Sequence, residues 1–140
     1  MRLDQAQIII QTALAEGRKN ALQPLAIMVV DSGGHPVAFA REDGASLFRY
    51  DIARAKAIGA VGMGQNTRAL ADKAKGNPAF FQSVSVAVGG NIAFSPGGVL
   101  ARDAAGAIVG AVGISGDTGD MDELCAFAGL AAAGFRGDPA

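Results

Sequence analysis

The order of helical and extended patterns is what most limits how this chain can fold. Apolar residues at helical spacing predict a first helix over about residues 4–19. Branched apolar residues from Leu25 to Val30 and an extended pattern from Val37 to Arg41 flank a Ser-Gly-Gly turn, so they predict a β-hairpin. We expect the helix to cover the sheet to which this hairpin belongs.

Helices and extended segments continue along the rest of the chain. Small and apolar residues predict a helix over Asp51–Met63, another for which Thr67 can be the N-cap, and a last one from Thr118 or Asp120 to Gly134. Three short strands are predicted near residues 83–88, 91–94 and 108–114. This order predicts an α/β (α+β) fold, in which a central antiparallel sheet of about five strands is flanked by helices.

Length and composition predict one domain that associates with itself. The 140 residues form a single predicted domain, spanning 1–140. Hydrophobic residues make up 50% of the chain and charged residues 18%, a large apolar share for a small protein with a high ratio of surface to volume. We therefore expect part of the surface to meet another copy, in a homo-oligomer that is a dimer or larger.

Charge and cysteine content disfavour several partners and compartments. The 12 basic and 13 acidic side chains form no like-charge block, so we expect neither nucleic acid nor a membrane as a partner. The N-terminus lacks the long apolar core of a signal peptide. Cys125 is the single cysteine and can form no intrachain disulfide, which favours a reducing, cytoplasmic location.

Three charged residues, Arg41, Asp43 and Lys56, are candidates for binding or chemistry. Arg41 lies at a predicted strand end and Lys56 projects from a helix of small apolar residues, so both cations could converge on a carboxylate. In the alternative interpretation Arg41 pairs with Asp43 across a turn, and Lys56 extends along its helix to water. The residues alone leave both interpretations open.

Glycine, histidine and methionine offer fewer candidates. Gly97 and Gly98 follow a rigid proline, where glycine either forms a turn or lets the backbone approach a ligand. His35 is the single histidine and falls in the predicted hairpin turn, so we predict no metal site built from histidines. Met63, beside a loop, could bind haem iron through sulfur, although methionine more often fills a core. Cys125 is expected to be a small buried thiol.

Several segments in the same order resemble one family, the GlcG/HbpS family, which also forms the C-terminal domain of PduO-type proteins. The resemblance covers about residues 3–134 and rests on Val29–Gly34, Arg41–Ala45, Ala53–Ala57, Thr67 with Leu70, Pro96–Gly98 and Gly110–Gly116. One departure is Glu42, where the family commonly has methionine between the arginine and the aspartate. This makes that edge of the chain more polar.

The resemblance implies a profilin-like fold, assembly into homo-oligomers, and haem binding in some members. Haem-binding relatives can use a histidine in the first helix, whereas residues 4–20 of this chain contain none. Haem iron would therefore need another ligand, such as the Thr67 oxygen, Met63, His35 or a group of a partner subunit. Haem is accordingly a possible cofactor.

Our first functional hypothesis is a haem-associated or small-molecule binding protein with a pocket near a subunit interface. Its expected binding residues divide by role into carboxylate partners (Arg41, Lys56), apolar walls (Phe48, Met63, Phe94), a polar contact (Thr67) and glycines that permit close approach (Gly97, Gly98).

Two further hypotheses use the same region. In one, the chain is an enzyme of small-molecule catabolism, such as an isomerase or hydratase acting on a small organic acid. Arg41 and Lys56 would bind the carboxylate, and Asp43 or Lys56 would move a proton. In the other, the chain is an assembly protein whose pocket is vestigial.

Overall fold

The computed structural model describes residues 1–138, which form five helices and five strands. In chain order these are α1 (Leu3–Lys19), β1 (Ala26–Asp31), β2 (Pro36–Arg41), α2 (Arg49–Met63), α3 (Thr67–Gly76), α4 (Pro78–Ala87), β3 (Gly98–Arg102), β4 (Ile108–Ser115), α5 (Gly119–Ala132) and β5 (Arg136–Gly137).

One antiparallel sheet with the strand order β2-β1-β4-β3-β5 forms the centre of the protein. The predicted mixed α/β, profilin-like architecture with five strands is confirmed. Ala26 of β1 lies opposite Arg41 of β2 on one side and Ser115 of β4 on the other. Because residues directly opposite each other in an antiparallel pair point to the same face, these three side chains share one face of the sheet.

Both faces of the sheet are covered, which is why β1 is buried along nearly its whole length. One face packs on α1 and α5 through a cluster that includes Ile27, Val29, Val112 and Ile114. The other face packs on α2. A strand buried on both faces becomes a continuous apolar run rather than an alternating one, which explains the pattern by which β1 was predicted.

Helix α2 lies very close to the sheet because both surfaces carry small residues. Its buried face presents Ala53, Ala57 and Ala60, at positions spaced by four and three residues. Opposite them stands Gly113 of β4, where an added Cβ would overlap the Ala53 carbonyl oxygen and lie 2.6 Å from the Ala57 nitrogen. This close packing fixes the position of α2, and both clefts described below include residues of this helix.

The predicted strands near residues 83–88 and 91–94 are wrong. Residues 78–87 form α4, which begins with Pro78 in its first turn, and residues 91–94 are irregular. The alternation of Ser and Val at residues 83–88 is typical of a strand, but a proline that starts a helix overrides it. The sheet instead contains β3, which begins at Gly98 and was not predicted, and the short β5 beyond the predicted last helix.

The start of α5 agrees with its prediction, whereas the start of α3 differs by one residue. Thr118 is the N-cap of α5, and its side chain accepts a hydrogen bond from the Met121 amide. Thr67, however, is the first residue of α3 rather than its cap, which is Asn66. Within residues 1–138, no helix is both long and apolar enough to cross a membrane.

Cys125 is buried in α5, as predicted, and burial raises the pKa of its thiol to about 11. We therefore expect it to react slowly with a disulfide reagent at pH 8 in the native protein. Since only the thiolate reacts, the shift from 9.0 alone lowers the rate by about a hundredfold, and burial lowers it further. Absorbance of the released thiol in buffer and in denaturant measures both rates, and similar rates would contradict the burial of this side chain.

Candidate functional site

Lys56 lies inside the protein and not at its surface. Its ammonium group donates to the Ile114 carbonyl oxygen at 2.7 Å and to a carboxylate oxygen of Asp122 at 3.1 Å. The side chains of the pair are 3% and 1% exposed. Burial lowers the pKa of Lys56 and raises that of Asp122, and the attraction between the two opposes both shifts. Lys56 thus joins α2 to β4 and to the start of α5.

Three other predicted binding residues surround Lys56. Gly97 has a φ of +122°, and an added Cβ there would lie 2.8 Å from the Lys56 ammonium nitrogen. An added Cβ on Gly98 would lie 2.5 Å from the Lys56 carbonyl oxygen. Thr67 is buried, and its hydroxyl accepts a hydrogen bond from the Gly98 amide at 2.8 Å. The space beside these glycines is filled by the chain itself, so this cluster joins α2 and α3 to β3.

The remaining predicted residues do not join this cluster. Arg41 and Asp43 are exposed at and just after the end of β2. Phe48 is 66% exposed at the start of α2. Phe94 lies in the loop before β3, with its ring edge-on to that of Phe81 at 5.5 Å. Neither Arg41 nor Asp43 takes part in an ion pair within residues 1–138, so the alternative pairing of these two residues is also not formed.

One predicted residue, Met63, lines a surface cleft at the C-terminal end of α2. We call this the apolar cleft, with a volume of about 220 Å³ and lining residues Ile58, Gly59, Gly62, Met63, Val88, Asn91 and Ile92. Most of its surface is apolar. The other lining residues were not predicted, although 58 and 62, like 59 and 63, are four residues apart on α2 and therefore adjacent on one helical face.

Packing between α2 and the segment after α4 forms the apolar cleft. Gly59 contacts this segment closely, since an added Cβ would lie 3.0 Å from the Ile92 Cα. Arg54 donates to the Asn91 side-chain oxygen at 2.7 Å and holds the same segment. By contrast, a Cβ added at Gly62 would meet nothing within 4 Å. The floor of the cleft is thus tightly packed, while its mouth at Gly62 and Met63 is open.

A second cleft lies at the opposite end of α2. This polar cleft also has a volume of about 220 Å³ and is lined by Gln23, Pro24, Gly44, Ala45, Ser46, Arg49 and Gly116. Its Arg49 is nine positions before Ile58, the first residue of α2 in the apolar cleft, which is about 14 Å along the helix. The two clefts are therefore separate sites. Within residues 1–138, no cluster of three or more His, Cys, Asp or Glu side chains could hold a metal ion.

The sequence matches a family described as "Haem degrading protein HbpS-like" over residues 1–131. The chain belongs to the HbpS-like family. The resemblance derived from the motifs is thereby confirmed, and it covers both clefts. A comparison with curated proteins found no significant match.

Several solved protein structures have the same fold as this chain. A double mutant of Streptomyces reticuli HbpS is 30% identical, with a TM-score of 0.79 over 94% of this chain and 85% of that one. Klebsiella pneumoniae protein ORFY is 25% identical, with a TM-score of 0.86 over 95% and 90% of the two chains. A PduOC–haem complex is 22% identical, with a TM-score of 0.89 over 99% of each chain.

Proposed function

We propose that this HbpS-like chain binds haem, or a similar planar apolar molecule, in the apolar cleft near a subunit interface. The observation that carries the proposal is an open apolar cleft with a thioether, that of Met63, in its lining. The family description names haem, and PduOC of the same fold was solved as a haem complex. Both statements concern the relatives, and they support haem as the first ligand to test.

The residues of the cleft fit such a ligand in chemistry. Ile58, Val88 and Ile92 offer apolar contacts to a porphyrin face, and the Met63 sulfur is a known type of axial ligand to haem iron. Thr67 fits less well, because its buried hydroxyl is already bonded to Gly98. His35 is exposed in the β1–β2 turn beside Asp31. When bound, haem would supply the redox and ligand-binding chemistry of its iron.

The size of the cleft supports a site shared between subunits. Pockets that enclose drug-sized ligands have volumes of roughly 300–1,000 Å³, so about 220 Å³ on one subunit would leave a porphyrin partly uncovered. The lining residue Val88 is 41% exposed, and Val86 and Phe80 of the preceding helix α4 are 79% and 52% exposed. The chain carries no charged residue between Gly76 and Arg102. An exposed apolar surface of this kind favours burial against another copy.

The enzymatic alternative has weaker support. In it Lys56 would move a proton on a small organic acid, but the Lys56 ammonium is enclosed by Asp122 and Ile114 and lines neither cleft. Arg41 as the partner of a ligand carboxylate stays a prediction, and so do Asp43 as an acid or base and the cytoplasmic location.

Titration of the ligand-free protein with haemin, followed by the Soret band, tests the proposal. We expect a saturable shift for the native chain and at least a tenfold weaker affinity for Gly62→Leu, which fills the mouth of the cleft. Gly76→Leu is the matched control, because an added Cβ there also meets nothing within 4 Å and Gly76 lines neither cleft. Met63→Leu is expected to keep the apolar contacts and to change the spectrum of the bound haem.

Equal haemin affinities for the native chain, Gly62→Leu and Gly76→Leu would exclude the apolar cleft as the haem site. A non-saturable absorbance change would exclude specific haem binding altogether. Binding with an unchanged spectrum in Met63→Leu would keep the cleft and exclude Met63 as the iron ligand.

A further inference from the structure

The polar cleft holds a cation, Arg49, that forms no ion pair within residues 1–138. Arg49 is half-buried, and one guanidinium nitrogen donates to the Ser115 hydroxyl at 3.0 Å. Within residues 1–138, no carboxylate lies within ion-pair distance of Arg49, and the Ser115 hydroxyl is the single hydrogen-bond partner of its side chain. Since a guanidinium group has five N–H donors, most of them remain available to a ligand.

Two acids near Arg49, Asp117 and Asp122, already have other partners. Both carboxylate oxygens of Asp117 accept backbone amides, from Gln23 at 2.8 Å and from Thr118 at 2.8 Å, and these bonds lower its pKa. Asp122 is paired with Lys56. Lys56 is itself near enough to Arg49 for the two positive charges to repel. The positive charge of Arg49 is therefore not neutralised by a direct contact with either acid.

Other hydrogen-bond donors line the same cleft. The backbone amides of Gly44 and Ser46 donate to no group within the described part of the chain, and both residues line the cleft. The loop that carries them is held in place by the Ala45 amide, which donates to the Glu42 carbonyl oxygen at 3.1 Å. A charged donor and several neutral donors thus surround one concave space, and this arrangement suits an anion.

We propose that the polar cleft is a second binding site, in which Arg49 holds the carboxylate of a small organic acid. The fork of an arginine matches the two oxygens of a carboxylate. The hydrogen bond to Ser115 fixes the guanidinium group before a ligand arrives, which reduces the entropy lost on binding. A cleft of about 220 Å³ limits the ligand to a small molecule.

A single negative charge suits this cleft better than two. Asp43 directly precedes the lining residue Gly44, and Asp51 follows Arg49 by two residues on α2. Neither acid takes part in an ion pair within residues 1–138, so both add negative potential near the cleft. A phosphate dianion would be repelled more strongly than a carboxylate. This site is independent of haem binding in the apolar cleft.

Titration of the protein with propionate, followed by amide chemical shifts, tests this proposal. We expect saturable shifts at Gly44, Ser46 and Gly116, and far smaller shifts with propionamide, which has the same shape and no charge. Arg49→Gln keeps a polar side chain but loses the charge, and should weaken propionate binding at least tenfold. Arg54→Gln is the matched control, because Arg54 lies on the same helix, is also half-buried and does not line this cleft.

Three results would overturn the proposal. Propionate and propionamide could give the same shifts, Arg49→Gln could bind propionate as tightly as the native chain, or inorganic phosphate could bind more tightly than propionate. The two proposed sites can be tested independently of each other. Gly62→Leu should leave propionate binding unchanged, and Arg49→Gln should leave the haemin titration unchanged.

Discussion

Replacement of Asp122 by asparagine is expected to lower the free energy of unfolding by about 3–5 kcal/mol, because it leaves the Lys56 ammonium buried without a counter-charge. The variant keeps the shape of the side chain and the oxygen that accepts the Asp117 amide at 3.0 Å. The loss of unfolding free energy is therefore caused by the missing charge. Urea unfolding at neutral pH, followed by circular dichroism, measures it.

The pH dependence of this variant gives a second test. Burial already lowers the pKa of Lys56, and loss of Asp122 removes the attraction that opposes this shift. Between the lowered folded pKa and the unfolded value of 10.5, the unfolded chain binds more protons, so stability rises with pH. We therefore expect the loss of unfolding free energy in Asp122→Asn, relative to the native chain, to become smaller as the pH approaches 10.5. If this loss of unfolding free energy does not change with pH, the unpaired charge of Lys56 is not its cause.

A double variant supplies the control for the pair. Lys56→Met with Asp122→Asn removes both charges, so it is expected to lose less stability than the two single changes added together. Additive losses would show that the two groups do not interact in the folded protein, and would remove Lys56 as a link between α2 and α5.

Gly113→Ala is expected to cost about 3 kcal/mol or more of unfolding free energy, at the upper end of the range for overpacked cores. The added methyl group would overlap the carbonyl oxygen of Ala53 and approach the Ala57 nitrogen to 2.6 Å. Backbone atoms of a helix cannot rotate away as a side chain can, so α2 as a whole must move from the sheet. Thermal unfolding, with a chemical denaturant as a cross-check, measures the loss.

Gly62→Ala, on the open side of α2, is the control for Gly113→Ala in β4. Its added Cβ meets nothing within 4 Å, so the helix propensity of alanine should stabilise the chain by up to about 1 kcal/mol. Opposite signs for the two glycine variants would establish that α2 lies tightly on β4 and is open on its other side. Equal losses would contradict this packing.

Much of the fold could be predicted because local signals and tertiary packing agree. The β1–β2 hairpin and helices α1, α2 and α5 have the periodicities that their burial requires. Residues 83–94 were mispredicted because their apolar residues alternate as in a strand, although they form α4 and a loop. Strand β3 was missed because its sequence begins at a glycine pair, and only the neighbouring strand β4 shows that Gly98 lies in the sheet.

The candidate sites were less predictable, because a cleft depends on which helix faces meet. Arg41 and Lys56 were expected to converge on a ligand, whereas Lys56 is paired with Asp122, a residue 66 positions away in the sequence. Arg49 was not singled out, since nothing in its local sequence shows that Ser115 would orient it. Met63 lines a cleft, but the partner segment at Asn91 and Ile92 comes from a region predicted as a strand.

The sequence by itself determined the mixed α/β class, the family and the single buried thiol, because composition, periodicity and motif order are local properties of the chain. Only the tertiary structure decided which charges are paired inside and which line a cleft. That choice depends on contacts between residues far apart in the sequence, such as Lys56 with Asp122 and Gly113 with α2. Burial determines which charges must be paired, because a buried charge needs a partner and an exposed one does not.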